Sequence, residues 1–148
     1  DVTLDVVGSG LPRDPSGTEI VPERWRLPGI TVHGFAKELA PHYATASAFI
    51  APILGGSGVR IKLLEGFRAG LPLVTTSAGA LGLPLTSGRE LLVADDPRAY
   101  AAHVADVLRS PELQARLREG AYDFLEREHG LARAQAVMRA VLGLAPAP

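Results

Sequence analysis

Residues 48–76 read AFIAPILGGSGVRIKLLEGFRAGLPLVTT. The stretch opens with a short apolar run, Ala48 to Ile53, of the length and texture of a buried strand. Gly55-Gly56-Ser57-Gly58 follows as a turn, and then an amphipathic segment from Val59 to Ala69. Gly70, with Pro72 two residues on, is the expected stop of a helix. Leu73 to Thr76 reads as a second, β-branched strand. Strand, glycine turn, helix and strand within about 30 residues make a βαβ unit, which builds parallel sheets with right-handed crossovers. The expected fold class is α/β.

Three glycines and a serine let the backbone approach a ligand closely, and the next helix points its free N–H groups at the same spot. Such a helix start favours anions, phosphates above all. On a helical wheel Val59, Leu63, Gly66, Phe67 and Gly70 cluster on one side, the side expected to face the sheet. Lys62 and Glu65 share a sector away from that cluster, one turn apart. A cation and a carboxylate beside a glycine turn suit a diphosphate and a ribose diol. The alternative for the same pair is an exposed i,i+3 ion pair, worth a few tenths of a kcal/mol.

These residues also carry a resemblance. GSGVRIKLLEGFRAGLPLVTT is similar to the donor-binding segment of group 1 glycosyltransferases of the GT-B fold, which often read G-S-G-x-R-x-K-x-x-E-x-x-x-x-G-x-P-V-V. The match takes in Gly56, Ser57, Gly58, Arg60, Lys62, Glu65, Gly70 and Pro72. VVGSGLP at 6–12 resembles the family's V-G-x-G-P turn, and VHGFAKELAPHYATAS at 32–47 its F-x-G-x-x-x-x-L-x-x-x-Y-x-x-A segment. GRELLVADDPRAYA at 88–101 resembles its later strand and helix start, so the likeness runs over roughly residues 3 to 142. It implies a Rossmann-like open parallel sheet with helices on both faces, the C-terminal half of a GT-B enzyme.

The resemblance also implies chemistry. A sugar would pass from a nucleotide diphosphate donor to a glycan, lipid or small acceptor, with retention and without a metal or other cofactor. Gly56, Ser57, Gly58 and Val59 would meet the donor phosphates, Arg60 and Lys62 would neutralise them, and Glu65 would accept the ribose hydroxyls. Gly34 and Phe35 would lie on the nucleobase side, with Gly8, Gly10 and Gly79 as donor-side loop candidates. No catalytic residue is assigned. Ser57 stands where many members carry a glutamate that contacts the donor sugar. Other readings are a GT-B nucleotide-sugar epimerase, or a nucleotide-binding module without activity of its own.

Composition narrows the partners. A chain of 148 residues, 47% hydrophobic and 21% charged, suits one soluble globular domain. Its net charge of -1 gives no support to nucleic-acid or polybasic membrane binding. There is no cysteine, hence no disulfide or thiolate metal site. No apolar run reaches the ~18 residues of a spanning helix. Beginning at Asp1, with Met138 its single methionine, the chain is expected to have been cleaved or excised, and the resemblance implies an excised piece. On this reading residues 1–143 are a donor-binding domain incomplete at its N-terminus, and 144–148 a disordered tail. The acceptor domain would lie in the missing N-terminal part, and the fragment alone would be inactive and prone to homodimerise. A cytoplasmic enzyme is expected, peripheral at the inner membrane face through that domain.

The rest of the chain fits around this unit. Thr3 to Val7 reads as a strand, followed by the turn Gly8-Ser9-Gly10. Arg13 occupies the place of the third glycine of a dinucleotide fingerprint, which disfavours NAD. Prolines and glycines then predict loop, with one helical turn near Glu23 to Arg26. Ile30-Thr31-Val32 is a strand ending at His33-Gly34, and a helix is expected over roughly Ala36 to Thr45, with Leu39, Tyr43 and Ala46 inward and Pro41 able to delay its start. His33 is better read as polar lining than as a base, and His33, His42, His103 and His129 lack zinc-ligand spacing.

Ser77 to Pro84 reads as a loop at a strand's C-terminal end, where open α/β sheets bind ligands. Leu91-Leu92-Val93 is a strand. Asp96 caps a helix with Pro97 at its first position and Tyr100, Val104, Val107 and Leu108 inside; capping, not catalysis, accounts for it beside Asp95. A helix from Ser110-Pro111 to about Glu128 carries Leu113, Leu117, Ala121, Phe124 and Leu125, with Glu112–Arg116 and Asp123–Arg127 as exposed pairs. Leu131 to Leu142 is a last helix using Ala134, Val137, Met138, Val141 and Leu142.

Overall fold

The structure is a computed structural model and describes residues 2–56 and 60–144. Ser57, Gly58 and Val59, and all of the expected tail except Leu144, lie outside the described residues. The chain divides into two units, residues 1–45 and 46–148.

In the first unit β1 (Leu4–Val7) runs parallel to β2 (Ile30–Gly34), with Leu4 opposite Ile30 and Val6 opposite Val32. The stretch between them is loop with one 3-10 turn, Glu23–Trp25, where the sequence places it. α1 (Ala40–Thr45) begins later than Ala36. Proline lacks an N–H and fixes φ, so Pro41 fits only the first turn of a helix. Leu39 and Tyr43 are half-buried there, but Ala46, expected inside, is exposed.

The second unit contains β3 (Phe49–Ala51), α2 (Ile61–Arg68), β4 (Leu73–Thr75), α3 (Ser77–Ala80) and β5 (Leu92–Val93). α4 (Pro97–Arg109), α5 (Pro111–His129) and α6 (Leu131–Val141) follow. The three strands form one parallel sheet in the order β3-β4-β5, Ile50 facing Val74 and Val74 facing Leu92. β4 is buried along its whole length, and alternation sends its side chains to opposite faces. Leu73 joins Leu63 and Phe67 of α2, Leu91, and Ala121 and Phe124 of α5. Val74 joins Leu92, Val107 of α4 and Leu117 of α5. Helices therefore cover both faces of this sheet, as a βαβ-built parallel sheet requires.

Local chemistry sets the helix ends. Gly70 has φ +70°, Leu71 N donates to Gly66 O at 3.1 Å, and Gly70 N donates to Phe67 O at 2.9 Å. That pair of bonds is a Schellman motif, which favours glycine at the left-handed position. Asp96 Oδ1 accepts from Arg98 N and Ala99 N, both at 3.0 Å, with Pro97 first in the helix. Ser110 Oγ accepts from Leu113 N at 3.1 Å. The two exposed pairs expected along α5 are replaced by nearer partners. Ser110 Oγ donates to Glu112 at 3.1 Å, and Arg127 Nε donates to Glu128 at 2.9 Å.

α6 forms where its spacing predicts, but its expected inner face is not covered by the described residues. Val137 is 44%, Met138 59% and Val141 77% exposed. The helix closes on Gly143, with Leu144 N donating to Arg139 O at 2.8 Å, so Leu144 is held by the helix end.

Tyr100 ties α4 to the sheet by donating its hydroxyl to Val74 O at 2.8 Å. Burial pushes its phenol up from 10.0 to about 12. Because the folded value lies above the unfolded one, this contribution to stability is complete below pH ~10 and is lost as pH rises through ~12. An ultraviolet absorbance titration should show one late-ionising phenol, absent in Tyr100→Phe. A variant that keeps the late step would disprove the assignment.

Candidate functional site

The glycine turn leaves the C-terminal end of β3 and leads into α2. Gly56 has φ +109°, in the region that favours glycine. Arg60 stands at the N-cap of α2 without capping it through its side chain, and its carbonyl accepts from Leu63 N at 3.0 Å. The Arg60 side chain turns back instead. Its Nη2 donates to Gly56 O at 3.0 Å and to Ala78 O at 2.8 Å. Its Nε is buried and finds no acceptor among the described residues. An orphaned buried donor is costly in a folded protein and calls for an explanation.

α2 buries Leu63, Gly66 and Phe67, as the wheel predicts, and Lys62 and Glu65 emerge on the other side, both exposed. They do not form the alternative i,i+3 ion pair. Among the described residues neither side chain has a hydrogen-bond or ion-pair partner.

Ser77 to Ala80 was expected as loop and is the short helix α3. Thr76 makes the difference: its Oγ1 accepts from Gly79 N at 3.0 Å and also donates to Ile53 O. A β carbon at Gly79 would run into the buried Thr75 hydroxyl, so this turn closes only with glycine. The Gly79 amide, a donor-side candidate, is spent on Thr76. Asp95, at the end of β5, accepts from Ser77 N at 2.8 Å and Ser77 Oγ at 2.7 Å. These bonds, the hydroxyl's foremost, hold its carboxyl below the ordinary carboxylate range. Asp95 and Asp96 thus serve separate partners and are not a catalytic pair. Sequence reasoning missed the Asp95–Ser77 pair. The available signal was Thr76-Ser77 directly after a strand, a common helix start.

In the first unit, Gly8 N donates to Gly34 O at 2.7 Å, bringing together the turns after β1 and β2. Gly34 is buried at φ +65°, and Phe35 beside it is 72% exposed. His33 Nε2 lies 2.7 Å from Asp5 Oδ1, and its ring meets the edge of His42 at 4.7 Å. Among the described residues no three His, Asp or Glu side chains gather as a metal site.

The family described as "Glycosyl transferases group 1" matches residues 1–110. The chain belongs to the group 1 glycosyltransferases.

An uncharacterized 44.6 kDa protein in the cps region of Klebsiella pneumoniae is 28% identical over 93 residues, 63% of this chain and 24% of that protein. The C-terminal domain of a group 1 family glycosyl transferase from Francisella tularensis matches with a TM-score of 0.61 at 14% identity, covering 70% of this chain and 55% of that one. Sucrose-phosphate synthase from Thermosynechococcus elongatus matches with a TM-score of 0.69 at 18% identity, covering 95% of this chain and 39% of that one. The fold is the α/β, Rossmann-like C-terminal half of a GT-B glycosyltransferase. The chain spans about a quarter of the length of the curated relative it matches. Among the described residues no helix is long and apolar enough to cross a membrane.

Among the described residues this arrangement offers a helix start, the Arg60 Nε–H without an acceptor, and the Lys62 ammonium and Glu65 carboxylate without partners.

Proposed function

We propose that this domain binds the donor of an enzyme that moves a sugar from a nucleotide diphosphate to a glycan, lipid or small acceptor, with retention and without a metal. The observation that carries the reading is the pair Lys62 and Glu65 on the exposed side of α2, one turn apart and without a partner among the described residues. An exposed i,i+3 pair is worth only a few tenths of a kcal/mol, so a cation and a carboxylate held one turn apart are available to a ligand's phosphates and diol. Gly56, Ser57, Gly58 and Val59 take the diphosphate by backbone contact, Lys62 neutralises it, and Arg60 adds its unspent N–H. Glu65 accepts the ribose hydroxyls. Gly34 and Phe35 keep the nucleobase role that the resemblance implies, with Gly8, Gly10 and Gly79 as supporting turns.

The acceptor is held by a further domain of the parent protein, so the domain alone is inactive in transfer. We place the reaction in the assembly of cell-surface polysaccharide on the cytoplasmic side, in line with the relative's place in a cps region.

The test is incubation of the full-length parent with a panel of nucleotide sugars, separating nucleotide and sugar products. Release of nucleoside diphosphate with sugar transferred to an acceptor or to water is the expected result. An epimerised sugar would make the parent an isomerase, and binding without turnover would make it a nucleotide-binding module. The absence of any nucleotide binding would overturn the reading altogether.

A further inference from the structure

The turns that follow β3, β4 and β5 are joined by side chains rather than by the sheet alone. Asp95, after β5, receives both the amide and the hydroxyl of Ser77, at 2.8 and 2.7 Å. Ser77 opens α3, and the next carbonyl, Ala78 O, accepts from Arg60 Nη2 at 2.8 Å. The same nitrogen reaches Gly56 O at 3.0 Å in the turn after β3. Thr76 adds a parallel tie by donating to Ile53 O. A chain of polar contacts therefore runs from the end of β5, through α3, to the glycine turn. It depends on few groups. α3 is four residues long and cannot hold itself in place by its own helical bonds.

We propose that Asp95 is a positioning residue for the donor site: through Ser77 and Ala78 it fixes Arg60, and through Arg60 the Gly56 carbonyl. This rests on reading that turn as a nucleoside-diphosphate site. The logic is one of preorganisation. A phosphate cradle made of backbone N–H groups binds well only if its turn is already in place, because ordering a loop on binding offsets affinity. Arg60 engages two carbonyls through one nitrogen while its buried Nε has no acceptor among the described residues, which suits a group set as a frame for the turn. The partners of Asp95 among the described residues are both on Ser77, which is not assigned to the ligand and which stabilises the charged form of the carboxyl.

The experiment uses the full-length parent carrying Asp95→Ala, Ser77→Ala, both together, or Asp95→Asn. Calorimetry with nucleoside diphosphates reads affinity, and amide hydrogen exchange without ligand reads the turns. Asp95→Ala is expected to weaken binding roughly 3- to 10-fold. The double variant should be no weaker than Asp95→Ala alone, since both remove one contact. Asp95→Asn, which keeps an acceptor for the Ser77 amide, should recover much of the loss. Exchange should quicken at residues 77–80 and also at 53–56, while α5 stays protected. A merely local role for Asp95 would quicken 77–80 alone. Unchanged affinity in Asp95→Ala, or unchanged exchange at 53–56, overturns the proposal. Should the unsubstituted parent bind no nucleoside diphosphate, the site reading fails, and exchange at 53–56 still decides whether Asp95 positions the turn.

Discussion

Phe124→Ala is expected to destabilise the second unit by about 3–5 kcal/mol, the usual loss for a fully buried aromatic. Phe124 is 0% exposed and meets Phe67 edge-on with ring centroids 5.9 Å apart. It also closes the layer in which Leu63, Leu73 and Leu91 are packed. Truncation therefore removes the transfer energy of the ring, the aromatic pairing of about 0.5–1.5 kcal/mol, and the support of α2 by α5. The surrounding groups sit on three elements and a strand edge, so they cannot all relax into the space. Domains have about 5–15 kcal/mol in total, so such a loss takes up a large part of it. Leu131→Ala on α6 is the control: Leu131 is 73% exposed, and its removal should stay within about 0.5 kcal/mol. Urea unfolding of both variants settles the matter. A Phe124→Ala midpoint close to that of Leu131→Ala would show that this layer does not hold the unit together.

The βαβ core was legible because period and punctuation agree there. The apolar run at 48–53, the glycine turn, the 3.6-residue period of α2 and the Gly70 stop all point to one structure, and Leu63, Gly66 and Phe67 are buried as the wheel requires. Asp96-Pro97 and Ser110-Pro111 mark their helices for the same reason, since caps are local chemistry. Contacts between distant segments were not legible. Nothing in the string says that Thr76 reaches Ile53, that Asp95 reaches Ser77, or that Arg60 prefers two carbonyls to solvent. Those choices depend on strand order, which brings residues 18 or more apart to one sheet edge. α6 shows the complementary limit. Period fixes its helicity and which residues share a side, but whether that side is covered depends on what packs against it.

Lys62→Ala in the full-length parent should weaken nucleoside diphosphate binding roughly 10- to 150-fold, the ~1.5–3 kcal/mol of a charge-assisted contact. The effect should appear in binding alone. Lys62 is exposed and has no partner among the described residues, so its removal breaks no internal contact and should leave stability within about 0.5 kcal/mol. Salt gives a second reading. An exposed ammonium acts over a screening length of about 8 Å at physiological ionic strength, so the ratio between parent and variant should shrink as salt is raised. Lys62→Arg keeps the charge and should retain most of the affinity, although its planar fork does not reproduce a compact ammonium. Glu65 separates the two halves of the site. Glu65→Ala should leave the contribution of Lys62 intact but abolish the preference for a ribonucleoside over a deoxyribonucleoside diphosphate, because the diol is what a carboxylate there would hold. Calorimetry with matched ribo and deoxyribo ligands on the parent and the three variants separates the terms. Equal affinity in the parent and Lys62→Ala would return Lys62 to the ordinary solvated face of α2, and the phosphate role would then have to rest on the glycine turn and Arg60.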